Sequence, residues 1–129
     1  MSSSIHIIVV DDDIDLANIF NTFLQELGYN TVSFTDPILA LEFFKQNSQK
    51  YTILITDLRM PCMSGIELAN NIRQINNVIK IFLITAFMIE DLENHQEFKS
   101  AKIDKLIQKP IRLSILQKMI SQTLETIDS

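Results

Sequence analysis

Polar residues that can do chemistry stand where apolar runs of the sequence stop. Asp11–Asp13 follow the first run, Asp57 the third, Thr85 the fourth and Lys109 the fifth. Carboxylates held close together suit a hard cation such as Mg²⁺, which prefers oxygen ligands. A carboxylate beside Mg²⁺ and a lysine can act as a nucleophile toward phosphorus, while the two cations stabilise the oxygens of the transferred group. These residue types therefore favour Mg²⁺-dependent phosphoryl transfer.

The elements that must position these residues alternate strictly along the chain. Strands are predicted at Ile5–Val10, Tyr29–Phe34, Tyr51–Thr56, Val78–Ile84 and Ile103–Gln108. Helices are predicted from Leu16 to Leu27, from Pro37 to about Gln46, from Ile66 to Ile75, from Ile89 to about Ser100 and from Leu113 to Ile127. Continuous apolar strands alternating with helices are typical of a parallel sheet covered on both faces. Ligands of such sheets bind beyond the carboxyl ends of the strands, so the polar residues are expected to share one edge.

Each of these polar residues also has a purely structural interpretation. Asp13 would cap the following helix, Thr85 would be an ordinary helix cap, and Lys109 would be a solvated loop residue before Pro110. A single polar residue that only caps a helix or lies in a solvated loop is common. Four independent cases at four strand ends are much less expected than one shared site.

Composition excludes several functional classes. The 129 residues are 47% apolar and 21% charged, which predicts one globular domain over residues 1–129. The two glycines, Gly28 and Gly65, lie too far apart for a P-loop or a dinucleotide-binding loop. A net charge of −5 disfavours direct binding to nucleic acid or to an anionic membrane. With Cys62 as its single cysteine, the chain forms no intrachain disulfide, and a cytoplasmic location is the default expectation.

Four segments, in register, resemble the receiver domain of two-component response regulators. The segments are Ile7–Asp13, Ile55–Pro61, Leu83–Ala86 and Lys109–Pro110. Their key residues are separated by 45 positions from Asp12 to Asp57, by 28 from Asp57 to Thr85, and by 24 from Thr85 to Lys109. The resemblance runs from about Ile5 to Ile120. It implies a stand-alone receiver similar to chemotaxis members, with a flavodoxin-like, doubly wound, five-stranded parallel sheet of order 2-1-3-4-5 and five helices.

The resemblance also implies a role for each site residue. Asp57 would be the phosphoacceptor, and Thr85 and Lys109 would each contact an oxygen of the phosphoryl group. Mg²⁺ would be held by Asp11, Asp12, Asp57 and the backbone carbonyl of Arg59. Pro110 would follow a cis peptide bond. The chain would catalyse its own phosphorylation and dephosphorylation without being a conventional enzyme.

The implied partners are proteins. The phosphoryl donor would be a sensor histidine kinase or a histidine phosphotransfer protein, and the signal would pass to a downstream protein target. A homodimer through the face formed by helix 4, strand 5 and helix 5 is left open. Three alternatives also stay open: a phosphorelay shuttle, a pseudo-receiver that binds its partner without phosphorylation, and a receiver taken from a longer protein.

The chain departs from the usual family pattern at a few positions. Leu106 replaces the usual aromatic residue three positions before the lysine, which puts the usual coupling to Thr85 in question. Cys62 and Lys102 stand where the family often has glycine. Cys62 is expected to be exposed, and its position favours an incidental thiol over a redox sensor. Phe87, two positions after Thr85, is a candidate shield for the mouth of the site.

Overall fold

A computed structural model of the chain describes residues 5–86 and 96–128. In these residues one parallel sheet has five strands in the order β2-β1-β3-β4-β5. The strands are β1 (His6–Val10), β2 (Asn30–Phe34), β3 (Ile53–Asp57), β4 (Lys80–Thr85) and β5 (Lys105–Gln108). The helices are α1 (Ile14–Glu26), α2 (Pro37–Gln46), α3 (Gly65–Ile75), α4 (Gln96–Ala101) and α5 (Leu113–Asp128). The predicted flavodoxin-like fold and its strand order are therefore confirmed.

Helices cover both faces of the sheet, which explains why its strands are continuous apolar runs. Alternate residues of β1 point to opposite sides: Ile8 and Val10 pack with residues of α2 and α3, and Ile7 and Val9 pack with residues of α1 and α5. All four are essentially inaccessible to solvent. A strand with only one buried face would instead alternate between apolar and polar residues.

Side-chain caps set the starts of the helices that follow the site. The carboxylate of Asp13 accepts hydrogen bonds from the amides of Asp15 (3.0 Å) and Leu16 (3.2 Å) at the start of α1. Capping is therefore confirmed for Asp13, and it separates this residue from its two acidic neighbours in the site. At α3, Ser64 and Glu67 form a reciprocal capping box, which the sequence interpretation did not include.

Strands β3 and β4 each begin two residues later and end one residue later than predicted. At β4 the reason is Asn76, whose Oδ1 accepts hydrogen bonds from the amides of Val78 (2.9 Å) and Ile79 (3.2 Å). This turn holds Val78 outside the sheet with 78% of its surface exposed. Strands β1 and β2 begin one residue later than predicted and β5 begins two residues later, while α3 begins one residue earlier. Asp57 and Thr85 are therefore the last residues of their strands.

The segment between β4 and α4 falls only partly within the described residues. Of the predicted helix from Ile89 to about Ser100, the structure shows α4 from Gln96 to Ala101. The earlier part of that helix and Phe87 lie outside the described residues. Across the part of the chain that is described, every helix is too short or too polar to cross a membrane.

Candidate functional site

The register of the sheet brings the predicted site residues to one edge. Val10 of β1 lies beside Thr56 of β3, so Asp11 and Asp57 follow at neighbouring positions. Gln108 of β5 lies beside Thr85 of β4, which places Lys109 one step beyond. Because parallel strands end at the same edge, residues far apart in sequence become neighbours without any long loop.

Three carboxylates and one ammonium group form the centre of this edge. Oxygen atoms of Asp11, Asp12 and Asp57 all lie within 4.8 Å of one another. The Lys109 Nζ lies 3.1 Å from Oδ1 of Asp57. Asp57 is 8% exposed, so its ion pair with Lys109 is shielded from bulk water on most sides. One cation facing three carboxylates leaves a local excess of negative charge that a divalent cation would balance.

Asp11 is the most strongly perturbed acid of the site. Only 2% of the residue is exposed, and burial raises the pKa of its carboxyl to about 6. The nearby charges of Asp57 and Asp12 act in the same direction. The amide of Asp13, which donates a 2.9 Å hydrogen bond to Oδ1 of Asp11, and the charge of Lys109 both oppose the shift. Asp12, by contrast, is exposed, so two adjacent aspartates have different environments.

Backbone hydrogen bonds extend the sheet past the strand ends and hold the site loops in place. The amide of Asp11 donates to the carbonyl of Phe34 (3.0 Å), and the amide of Lys109 donates to that of Thr85 (2.8 Å). Between them, the amide of Leu58 donates to the carbonyl of Ile84 (3.0 Å). The loops that carry the functional side chains are thus fixed by the same ladder that forms the sheet.

Gly65 allows the backbone of Asp57 to pack against the start of α3. A Cβ atom on Gly65 would lie 2.1 Å from the carbonyl oxygen of Asp57. The amide of Gly65 also donates to the carbonyl of Leu58 (2.8 Å). The structure shows that the missing side chain at this position lets the start of α3 approach the end of β3 closely.

The remaining predicted residues surround this centre. Thr85 is 1% exposed at the end of β4, next to the strand that carries Asp57. Arg59 lies two residues after Asp57 and is exposed. The Lys109–Pro110 peptide bond is cis, as the resemblance implies.

The residues that depart from the family pattern differ in backbone conformation, exposure and packing. Cys62 and Lys102, which occupy frequent glycine positions, have positive φ angles of 73° and 51°. Cys62 is exposed, as expected. Leu106 packs beside the buried residues Leu58 and Leu83, on the side of the sheet where Phe98 of α4 also lies. Leu106 and Phe98 of α4 thus pack against the same buried apolar cluster, which includes the residue after Asp57.

Comparison with known families identifies one match over most of the chain. The sequence model described as the response regulator receiver domain matches residues 7–121. The regulatory protein VanRB of Enterococcus faecalis is 33% identical over 121 residues, which are 94% of this chain and 53% of that protein. The response regulator receiver protein CpdR of Brucella abortus is 30% identical over 118 residues, which are 92% of this chain and 95% of that protein.

Many relatives are longer than this chain, and solved structures agree in fold. The chain spans 16%, 26% and 53% of the length of three curated relatives that it matches. A receiver domain protein from Clostridium thermocellum superposes with a TM-score of 0.85 at 21% identity, covering 96% of this chain and 97% of that one. The chemotaxis protein CheY4 of Vibrio cholerae gives 0.83 at 23% identity, covering 93% and 98%.

Proposed function

The chain belongs to the response regulator receiver domain family, and we propose that Asp57 is the residue on which it accepts a phosphoryl group. The observation that carries this assignment is the position of the Asp57 carboxylate. It is nearly buried, lies 3.1 Å from the Lys109 ammonium, and shares a 4.8 Å cluster with two further carboxylates. Receiver domains take part in two-component signalling. What is proposed for this chain is which of its atoms carry out the phosphoryl transfer.

The proposed reaction is a displacement at phosphorus. A carboxylate oxygen of Asp57 forms the new P–O bond as the P–N bond of a phosphohistidine breaks, and the electron pair of that bond returns to the departing imidazole. Lys109 stabilises charge on the transferred oxygens, and the Thr85 hydroxyl donates a hydrogen bond to one of them. Hydrolysis of the acyl phosphate by water then resets Asp57. Each step uses residues already held at one sheet edge.

The donor set fits a magnesium ion. Receiver domains bind Mg²⁺ at an acidic pocket, and this chain has the carboxylates of Asp11, Asp12 and Asp57 clustered at such a place. We assign these three residues and the backbone carbonyl of Arg59 as the groups that would hold the ion. When bound, Mg²⁺ would neutralise the carboxylates and the phosphoryl oxygens. The raised pKa of Asp11 supports this assignment because it reflects a buried carboxyl that lacks a full complement of positive charge.

The partners proposed for this chain follow from its family. Receiver domains interact with histidine kinases or phosphotransfer proteins and with downstream targets. We propose that residues 1–129 act as a single receiver domain through protein contacts and reside in the cytoplasm, where the single cysteine needs no disulfide partner. The acidic net charge of −5 supports a protein target over direct binding to nucleic acid or membrane. Self-association through α4, β5 and α5 remains part of this proposal.

The decisive experiment measures a covalent adduct. The protein is incubated with acetyl phosphate and Mg²⁺, and its intact mass is compared with that of Asp57→Asn. A phosphoryl adduct is expected on the wild type and not on the variant. Asp36→Asn is the matched control, because asparagine also caps helices well and Asp36 caps α2 without belonging to the acidic cluster.

Two outcomes would overturn the assignment. An adduct that persists in Asp57→Asn would mean that another residue is the acceptor. No adduct across a wide range of Mg²⁺ concentrations would favour the pseudo-receiver, which binds its partner without phosphorylation. A separate incubation of the phosphorylated chain with a histidine phosphotransfer protein would identify a shuttle by transfer of the label.

A further inference from the structure

A polar cavity lies at the end of the sheet opposite the phosphoacceptor site. Its volume is about 270 Å³, and it is lined by Lys80, Asp104, Lys105, Gln122, Thr123 and Thr126. Lys80 and Lys105 are the first residues of β4 and β5, whereas the phosphoacceptor site lies where the strands end. Residues of α5 form the other wall. The cavity is therefore separate from the acidic cluster.

The two lysines lie on the same face of the sheet. Lys105 pairs with Phe82 in the β4–β5 register, and Lys80 lies two residues before Phe82 on β4. Side chains two positions apart in a strand point the same way, so both lysines face α5. Within the described residues, Lys105 forms no ion pair.

Asp104, the single carboxylate among the residues that line the cavity, already has hydrogen-bond and ion-pair partners. Oδ2 of Asp104 accepts hydrogen bonds from the Arg73 guanidinium (3.0 Å) and from the amide of Ile81 (2.7 Å). Its Oδ1 lies 4.0 Å from the Nζ of Lys80. Arg73 thus neutralises Asp104, and the two lysines leave the cavity with an excess of positive charge. This is a marked local departure for a chain with a net charge of −5.

A buried hydroxyl on α5 lacks a hydrogen-bond partner at the wall of the cavity. Thr123 is 6% exposed, and its Oγ1 has no partner among the described residues. The neighbouring Thr126 hydroxyl donates to the carbonyl of Thr123 (2.6 Å), so it does not satisfy the Thr123 hydroxyl. Unpartnered buried hydroxyls are uncommon because they lose their hydration without replacement.

We propose that this cavity binds an oxyanion of the phosphate class. Four of the lining residues carry hydrogen-bond donors, and they come from two strands and one helix: Lys80, Lys105, Gln122 and Thr123. Several donors around one small volume suit a compact anion with oxygens on every side better than an extended peptide. The ligand is either free phosphate or the phosphoryl group of a small organic molecule.

The test is a titration of the isotopically labelled full chain with inorganic phosphate, followed by amide chemical shifts. Mg²⁺ is omitted and ionic strength is held constant with chloride. Saturable shifts are expected at Lys80, Lys105 and Thr123. Adenosine monophosphate is titrated in parallel: tighter binding at the same residues indicates an organic phosphate, and weaker binding indicates the free ion.

Two variants and one control decide whether the site is specific. Lys105→Gln is expected to weaken phosphate binding about tenfold, and Thr123→Val about fivefold. Valine has the shape of threonine and removes a hydroxyl without a protein partner, so this variant is expected to fold. Lys118→Gln, an exposed residue on the same helix, changes the net charge equally and should leave the affinity unchanged.

The proposal is overturned by any of three results. Shifts that fail to saturate would show that phosphate has no defined site. Equal weakening in Lys105→Gln and Lys118→Gln would reduce the effect to overall charge. Shifts confined to Asp57 and Lys109 would place the anion at the phosphoacceptor site instead.

Discussion

Burial of Asp11 should make the proposed Mg²⁺ binding dependent on pH in a range where ordinary carboxyl groups no longer titrate. The pKa of Asp11 is raised from 3.8 to about 6, first by burial and then by the charges of Asp57 and Asp12. A carboxyl group must lose its proton before it can serve as a metal ligand. Protonation of Asp11 below pH 6 therefore competes with the metal.

The size of the effect follows from the pKa. At pH 5 roughly one Asp11 carboxyl in eleven is ionised, and at pH 7.5 nearly all are. The apparent Mg²⁺ affinity is expected to fall about tenfold from pH 7.5 to pH 5. A carboxyl with the ordinary pKa of 3.8 would be ionised at both values, and the affinity would then change by less than about 1.1-fold.

The assay is a Mg²⁺ titration at pH 5 and pH 7.5, followed through the amide chemical shifts of Asp12 and Asp13. Calorimetry at pH 6 in two buffers of different ionisation enthalpy should detect release of roughly half a proton per Mg²⁺ bound. Asp11→Asn is the control, because its weaker residual affinity should not vary between the two pH values. An affinity in the wild type that stays constant from pH 7.5 to pH 5 would refute the reasoning.

The same pKa predicts the pH dependence of stability without Mg²⁺. The folded pKa of Asp11 lies above the unfolded value of 3.8, so the folded protein binds more protons between these pH values. Its contribution to stability is therefore complete below about pH 4 and is lost as the pH rises to 6. The loss is at most about 3 kcal/mol, measurable by urea denaturation at pH 4 and pH 7. Added Mg²⁺ should restore stability at pH 7 and have little effect at pH 4.

Three substitutions test local backbone geometry, packing and hydrogen bonding by urea denaturation. Gly65→Ala should destabilise the fold by about 3 kcal/mol, because the new methyl group would overlap the Asp57 carbonyl at 2.1 Å. Cys62→Gly should stabilise it by up to about 1 kcal/mol, because glycine adopts the φ angle of 73° without strain. Arg73→Met should lower the free energy of unfolding by about 3 kcal/mol. The Arg73 side chain is only 8% exposed, and its guanidinium donates hydrogen bonds to several backbone carbonyls and to a carboxylate.

Each of these predictions has a matched comparison. Gly28→Ala should cost less than Gly65→Ala, because Gly28 has a positive φ but open space where the new Cβ would lie. Lys99→Gly, inside α4, should destabilise where Cys62→Gly stabilises. Lys45→Met should change stability by less than about 0.5 kcal/mol, because its ion pair with Glu42 is exposed at 3.9 Å. Equal effects within any of these pairs would contradict the corresponding explanation.

Much of the site could be predicted because parallel strands impose simple geometry. Asp57, Thr85 and Lys109 lie at or just beyond the ends of three strands, and any parallel sheet brings such residues to one edge. Asp13 was predictable as a cap because its side chain acts within three residues of its own position. These inferences needed only local periodicity and the direction of the strands.

Other features depend on contacts that no local pattern encodes. The start of β4 shifted because the Asn76 side chain competes for the amides of Val78 and Ile79. Arg73 reaches the carbonyl of Lys102, 29 positions away, and this network has no sequence signature. The network forms because the folded chain brings Arg73 of α3 next to the loop before β5.

The sequence by itself determined the fold class, the strand order through family resemblance, and the set of residues at the functional edge. Only the tertiary structure decided which aspartate of the adjacent pair is buried. Asp11 and Asp12 are the same residue type at neighbouring positions. Asp11 is nevertheless only 2% exposed, and burial raises its pKa to about 6, while Asp12 faces solvent. Periodicity places both beyond β1. The protonation of Asp11 depends on the burial and the charges that surrounding elements impose on it, and that is a property of the packed molecule.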